Sequence, residues 1–135
     1  MTLEPADYES LVATALHETS SRRDRPFIKI NCAAIPRELV EAELFGYEKG
    51  AFTGADATKP GMIEAAHSGT LFLDEITTLN HGLQAKLLRV LQDRMVQRLG
   101  GRTAKKIDFR LITATNDDLE GMVRMGHFRE DLYYR

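Results

Sequence analysis

The chain has 135 residues, room for one domain or for part of a larger one, and its 43% hydrophobic share against 28% charged is that of a globular chain able to bury a core. A formal net charge of -2, with acids and bases interspersed, gives non-specific nucleic-acid binding no electrostatic footing. No apolar run approaches a membrane span, no basic-then-apolar leader opens the chain, and the single cysteine, Cys32, excludes an internal disulfide and suits a reducing cytosol.

In chain order, residues 9–20 place Leu11, Val12, Ala15 and Leu16 at helical spacing. Phe27 to Asn31 alternates and is β-rich, so it is expected to form a short strand. Pro36 opens a helix running to about Phe45, with Leu39, Val40 and Leu44 as its stripe. Residues 46–61 are punctuated by glycine and predict a long loop or protruding hairpin. Gly61 to His67 predicts one short helix. Thr70 to Leu73 is a continuous apolar run, as a strand buried on both faces requires. Asn80 suits a helix N-cap, and Leu83, Leu87, Val90 and Leu91 mark the helix that follows. A Gly-Gly turn inside residues 96–107 predicts a hairpin-like insert, Phe109 to Ala114 a third strand, and the tail two short helices broken near Gly126.

Strands alternating with helices argue for an α/β fold with a parallel sheet, and ligands of such sheets bind at the carboxyl ends of the strands. Asn31, Asp74, Glu75, Thr115 and Asn116 all fall on that edge. Two carboxylates released by a buried strand can hold a hydrated Mg²⁺ with the first and polarise a water with the second; a strand ending in solvated acids has the same sequence. Thr115-Asn116 can contact that water or a phosphate, or can simply form a turn or cap. Asn31 admits the same two readings, and its amide could also hold Glu75 in place. Cys32 reads as a small buried apolar residue rather than a nucleophile.

The most specific string is Gly50, Ala51, Phe52, Thr53, Gly54, Ala55. Its glycines permit positive φ and a tight tip. An aromatic at such a tip either has an external partner or folds back on its own domain.

Together, NCAAIPRELVEAELFGYEKGAFTGA, GTLFLDEI, LQAKLLRVLQ, ATN and FREDLYYR, in order and spacing, resemble the central AAA+ ATPase domain of sigma-54-dependent bacterial transcription activators, from about Leu11 to Arg135. The resemblance implies a P-loop-NTPase-type parallel sheet with flanking helices, in the family order 5-1-4-3-2, of which this chain supplies strands two, three and four. The first and last strands and the helical lid are expected to be missing. It further implies ATP and Mg²⁺ as cofactors, sigma-54 RNA polymerase as partner, a homo-oligomeric ring, no direct DNA contact by this segment, no membrane, and a cytoplasmic location. Phe52 and Thr53 are then the sigma contacts within Gly50–Ala55. Asp74 organises the Mg²⁺ and Glu75 polarises water; Asn31 switches Glu75 between positions, and Thr115-Asn116 senses the γ-phosphate. Glu64 relays nucleotide state to the loop, and residues 98–106 resemble a second pore insertion. Arg129 and Arg135, six residues apart, reach a neighbour's nucleotide site; from the residues alone, an ordinary ion pair with Glu130 or Asp131 serves equally well.

The chain departs from the family at residues 1–10. Members carry a phosphate loop of the form GESGTGKE, where this chain has LEPADYES, without glycine and with Glu9 at the lysine position. Backbone amides cannot converge there as a phosphate cradle requires, and Glu4, Asp7 and Glu9 would repel phosphates. The family's reaction is ATP hydrolysis that drives promoter opening. The alternative for this chain is a non-hydrolysing module that presents its loop to sigma-54 or joins a ring of intact subunits, and whether it is an enzyme is left open between the two.

Overall fold

The structure, a computed structural model, describes residues 5–134. The first helix, α1 (Pro5–Glu18), begins four residues earlier than its apolar spacing suggests. Proline is at home at a first helical position, where its missing N–H costs nothing, so Pro5 starts a helix where a loop was expected. Strand β1 (Phe27–Asn31) follows, then α2 (Arg37–Phe45) after Pro36. Two-residue strands β2 (Gly46–Tyr47) and β3 (Lys59–Pro60) close the stem of the long loop, and α3 (Met62–Ala65) is a single turn. Central strand β4 (Thr70–Asp74) passes through a 3₁₀ turn at Ile76–Thr78 into α4 (His81–Asp93), whose N-cap Asn80 accepts a hydrogen bond from Leu83 N at 2.8 Å. The insert is an antiparallel pair, β5 (Met95–Gln97) and β6 (Ala104–Lys106). Strand β7 (Arg110–Ala114) and helices α5 (Leu119–Arg124) and α6 (Glu130–Tyr133) complete the described chain.

The main sheet is parallel, in the order β1-β4-β7. Its register sets Asn31 beside Asp74 and Asp74 beside Ala114, so three strand ends meet at one edge. All five residues of β4 are buried, which is why its sequence is an unbroken apolar run. Leu71 and Leu73 face the main core, with Leu44, Phe45 and Ile63 from α2 and α3 and Leu83, Leu87 and Val90 from α4. Thr70, Phe72 and Asp74 alternate to the opposite face. There α1 lies across the sheet, and buried His17 bonds Thr70 Oγ1 through Nδ1 at 2.8 Å.

Glu9, Ala13 and His17 share one face of α1 at i, i+4 and i+8. Eight helical residues rise about 12 Å and four strand residues about 13 Å. With His17 pinned on Thr70, that match carries Glu9 to Asp74. Beside β7, a groove of about 400 Å³ is lined by Ile76, Leu91, Phe109, Leu111 and Leu132; among the described residues β7 pairs with a strand on one side only.

Candidate functional site

Three carboxylates meet at the sheet edge. Asp74 is 8% exposed at the end of β4. Glu75 turns the chain out of the strand with φ 56° and ψ 50°, a left-handed conformation costing a non-glycine residue about 1–3 kcal/mol. Glu9 arrives from α1, and one ligand oxygen of each lies within 4.8 Å of the others. Asp74 Oδ1 and Glu9 Oε2 are buried without a hydrogen-bond partner among the described residues. Burial, then the neighbouring Asp74 carboxyl, then Glu75 hold the Glu9 carboxyl above its usual range. Glu75 is raised in the same direction by burial, then by Asp74 and Asp117. Unpaired buried acceptors cost about 1–3 kcal/mol each, so the edge is suited to something positive.

The other edge residues differ from expectation in their partners. Asn116 Nδ2 donates to Glu75 Oε1 at 3.2 Å, and so holds the acid that Asn31 was expected to hold. Asn31 Oδ1 instead accepts from Ala33 N at 3.0 Å, a local turn that occupies its amide oxygen. Thr115 Oγ1 accepts from Asp117 N at 3.0 Å and lies 3.3 Å from Thr77 Oγ1, so it serves the turn after β7. Cys32 is buried, and burial followed by the Asp74 charge pushes its thiol up to about 11, which leaves it inert. Arg129 forms a two-pronged pair with Asp131, Nε to Oδ1 at 3.0 Å and Nη2 to Oδ2 at 2.7 Å, the intrachain arrangement that its acidic neighbours suggested. Arg135 lies outside the described residues.

The Gly50–Ala55 segment is a tight turn with Gly50 N donating to Ala55 O at 2.9 Å and Ala55 N to Phe52 O at 3.1 Å. Gly50 and Gly54 hold φ at 84° and 97°, which strains any other residue. Phe52 is 41% exposed, with its ring edge-on to Tyr47 at 5.0 Å, so it touches its own stem and still presents a face outward. Thr53 is exposed beside it. At the stem, Gly46 and Gly61 approach so closely that a Cβ on either would strike the other's backbone.

Sequence reasoning missed the clamp on that stem. Arg98, which follows β5 directly, bonds Glu64 through Nε at 2.8 Å and Nη2 at 3.0 Å, and Glu48 through Nη1 at 3.3 Å. Lys105 adds a contact to Glu64 at 3.4 Å. The Glu64 carboxyl is held below its usual range chiefly by the Arg98 hydrogen bonds. Backbone bonds Glu48 N to Leu99 O at 3.0 Å and Leu99 N to Gly46 O at 2.9 Å weld insert and stem together. Buried Gln84 was also missed: its Oε1 accepts from Arg129 N at 2.8 Å and so fixes the start of α6. Glu9 was read only as a repulsive presence; its spacing of eight from His17 was the available signal.

A parallel sheet in this order, with acids at its carboxyl edge and an insertion loop between its first two strands, defines the AAA+ type of α/β fold. The sigma-54 interaction domain model matches residues 9–135, and the chain belongs to that family. It is 58% identical over 127 residues to the Nif-specific regulatory protein of Herbaspirillum seropedicae, covering 94% of this chain and 23% of that one. It is 59% identical over 127 residues to the Sigma54-dependent transcriptional regulator SfnR of Pseudomonas fluorescens, covering 94% and 35%. The crystal structure of NtrX from Brucella abortus superposes with a TM-score of 0.87 at 44% identity, covering 94% of this chain and 28% of that chain, and NtrX in complex with ATP superposes at 0.84. The chain thus spans a quarter to a third of the relatives it matches. No described helix is long and apolar enough to cross a membrane.

Proposed function

We propose that this chain presents the Gly50–Ala55 loop to sigma-54 RNA polymerase in the cytoplasm, as part of an activator ring whose nucleotide state moves the loop. The observation that carries the reading is an exposed Phe52 and Thr53 on a stem clamped by Arg98 to Glu48 and Glu64. A rigid stem transmits displacement to its tip, while a free loop would absorb it. Asp74, with its buried unpartnered Oδ1, suits Mg²⁺, which supplies charge neutralisation to a phosphate. Glu75, held by Asn116, orients water; Thr115 and Asn31 flank it, and Asn31, whose Oδ1 accepts from Ala33 N, takes up Glu75 through its Nδ2. Arg129 serves a neighbouring subunit only by leaving Asp131, which ties its action to ring assembly; Arg135 shares that role.

ATP phosphates do not fit residues 5–10, which are helical and bring Glu9 to the acids. That observation favours a second reading, in which this chain binds sigma-54 or joins a ring without hydrolysing ATP itself. One experiment covers both. In a full-length activator carrying residues 11–135 behind a family phosphate loop, Phe52→Ala and Thr53→Ala should leave ATP turnover largely intact and abolish promoter opening. Normal promoter opening by Phe52→Ala would sink the contact. The same activator given residues 3–10 of this chain should lose turnover yet still bind sigma-54; sustained turnover removes the second reading.

A further inference from the structure

We propose that the open side of β7 takes a second copy of this chain, β7 against β7 in antiparallel, joining two three-stranded sheets into one across a two-fold axis at Ile112. Arg110 N donates to Gly69 O at 3.0 Å, so Arg110, Ile112 and Ala114 turn their backbone groups toward β4. Backbone groups alternate in direction along a strand, which sends the N–H and C=O of Leu111 and Thr113 to the open side. Nothing among the described residues pairs with these four groups. Such an edge is a template for another strand, and no proline or acid blunts it within Arg110–Ala114. Phe109 O, the next acceptor on that side, is taken by Arg94 Nη1 at 3.2 Å, so the open stretch ends there.

Both faces beside that edge are apolar. On one lies the groove that includes Leu91, Phe109, Leu111 and Leu132. On the other, α1 crosses the sheet with its Ser10 and Thr14 flank bonded to Lys29 of β1. The opposite flank of α1 therefore lies toward β7, where Arg110 Nη1 donates to Leu16 O at 3.4 Å. It carries Tyr8, Val12 and Leu16 at i, i+4 and i+8, which are 55%, 58% and 39% exposed. A two-fold axis at Ile112 sets this flank against its own copy, and an apolar flank is complementary to itself, as an isologous contact requires.

Charge points to a second copy and fixes the register. Pairing Leu111 with the second copy's Thr113, and the reverse, makes four hydrogen bonds and sets Arg110 opposite Ala114. Ala114 is the register neighbour of Asp74, and Arg110 is that of Thr70, so Arg110 and Asp74 lie on the α1 face of the sheet. The second copy's Arg110 thus stands two strand spacings, about 9–10 Å, from Asp74, with only the methyl group of Ala114 between them. An extended guanidinium crosses that gap to the acidic strand end, where Asp74 Oδ1 has no hydrogen-bond partner among the described residues. Symmetry makes the pair twice. A register moved by two residues puts Arg110 opposite Ile112 or past the strand end, and loses both pairs.

The test uses the 135-residue chain without nucleotide or sigma factor. A short strand pair and one helix flank make a small, weak interface, so sedimentation should show twice the chain's mass at about 100 μM and the single chain at about 1 μM. Thr113→Pro removes an outward N–H and no bond to β4, so it should weaken the dimer about tenfold or more while circular dichroism stays that of wild type. Arg110→Glu should weaken it comparably, by setting an acid against Asp74. Ile112→Cys sits at the axis in a non-hydrogen-bonded pair and should oxidise to a disulfide-linked dimer, while Leu111→Cys should not; native Cys32 is buried and takes no part. This pair of variants decides the question even where Thr113→Pro fails to fold. A single-chain mass at about 100 μM overturns the proposal. If the Leu111 and Thr113 amides of that monomer resist hydrogen exchange, a segment of the same chain covers the edge instead. A ring mass, or a dimer that Thr113→Pro leaves intact, places the contact elsewhere and overturns it too. None of these outcomes touches the loop reading.

Discussion

Two groups of half-buried carboxylates sit on opposite sides of this molecule's function. At the loop stem, Glu64 and Glu48 converge on Arg98, with Lys105 alongside. At the sheet edge, Glu9, Asp74 and Glu75 converge on one another. Burial acts alike on both, since it disfavours a charged carboxylate wherever water is removed. The outcomes are opposite: Glu64 is held below its usual range and Glu9 and Glu75 above theirs. The difference is the guanidinium. A fork that fits a carboxylate by two parallel bonds more than offsets desolvation, whereas a second carboxylate adds repulsion to it. The stem is a finished structural joint, and the edge keeps three acids together without a basic partner among the described residues.

Removing the guanidinium is the severest way to break that contrast. In Arg98→Met, Glu64 keeps only Lys105, whose side chain is 57% exposed. Leaving one partner of a buried pair uncompensated costs about 3–5 kcal/mol. Arg98 is 18% exposed and Glu64 12%, so a loss of about 2–3 kcal/mol is expected. Urea unfolding at neutral pH in EDTA measures it. A loss below about 1 kcal/mol would place the network with ordinary surface pairs, and the stem would lose its rigidity argument.

The edge should respond with the opposite sign. Glu9→Gln removes one of three like charges within 4.8 Å of one another. With water-like screening, a like-charge pair no farther apart than that costs about 1 kcal/mol. Two such pairs are lost, with Asp74 and with Glu75, so the variant should be about 1–2 kcal/mol more stable than wild type at neutral pH. Destabilisation by Glu9→Gln in EDTA would mean that the carboxylate has a favourable partner, contrary to the unsatisfied Oε2.

Much of the frame was legible in the sequence because single elements carried it. An apolar run ending in Asp74-Glu75 suits a central strand, and Asn80 before Leu83, Leu87 and Val90 suits a capped helix with one buried face, as both proved. The glycine spacing of Gly50–Ala55 announced a turn and left Phe52 either outward or folded back, and Phe52 is 41% exposed while leaning on Tyr47. Contacts between elements were not legible. The Arg98–Glu64 pair spans 34 residues and the Asn116–Glu75 bond 41, distances over which no spacing rule operates. Asn31 was placed correctly at the strand end, but that its Oδ1 would close a turn onto Ala33 N was not shown by spacing. The start of α1 was missed because a glycine-free, acidic stretch was read as a failed loop, when with Pro5 at its head it is a good first turn.

The smallest effect, and the one that joins both regions, is the shape of the pH profile. Glu9 and Glu75, raised in the folded state, contribute stability that is full below the ordinary carboxylate range and is lost as pH rises through their raised values. Glu64, lowered in the folded state, contributes stability that is present above the ordinary range and is lost as pH falls through its lowered value. In EDTA the wild-type chain should thus be most stable in mildly acid solution, with stability declining on both sides for different reasons. Glu9→Gln should flatten the decline toward neutral pH and leave the acid side alone. Arg98→Met should do the reverse, because Glu64 then loses the partner that favours its charge. Unfolding free energies at about half-unit steps from about pH 2 to about pH 8 resolve the two arms, since each proton taken up or released changes stability by about 1.4 kcal/mol per pH unit. If Glu9→Gln left the neutral arm unchanged, the three acids would be solvated independently of one another, and the contrast with the Arg98 joint would reduce to the joint alone.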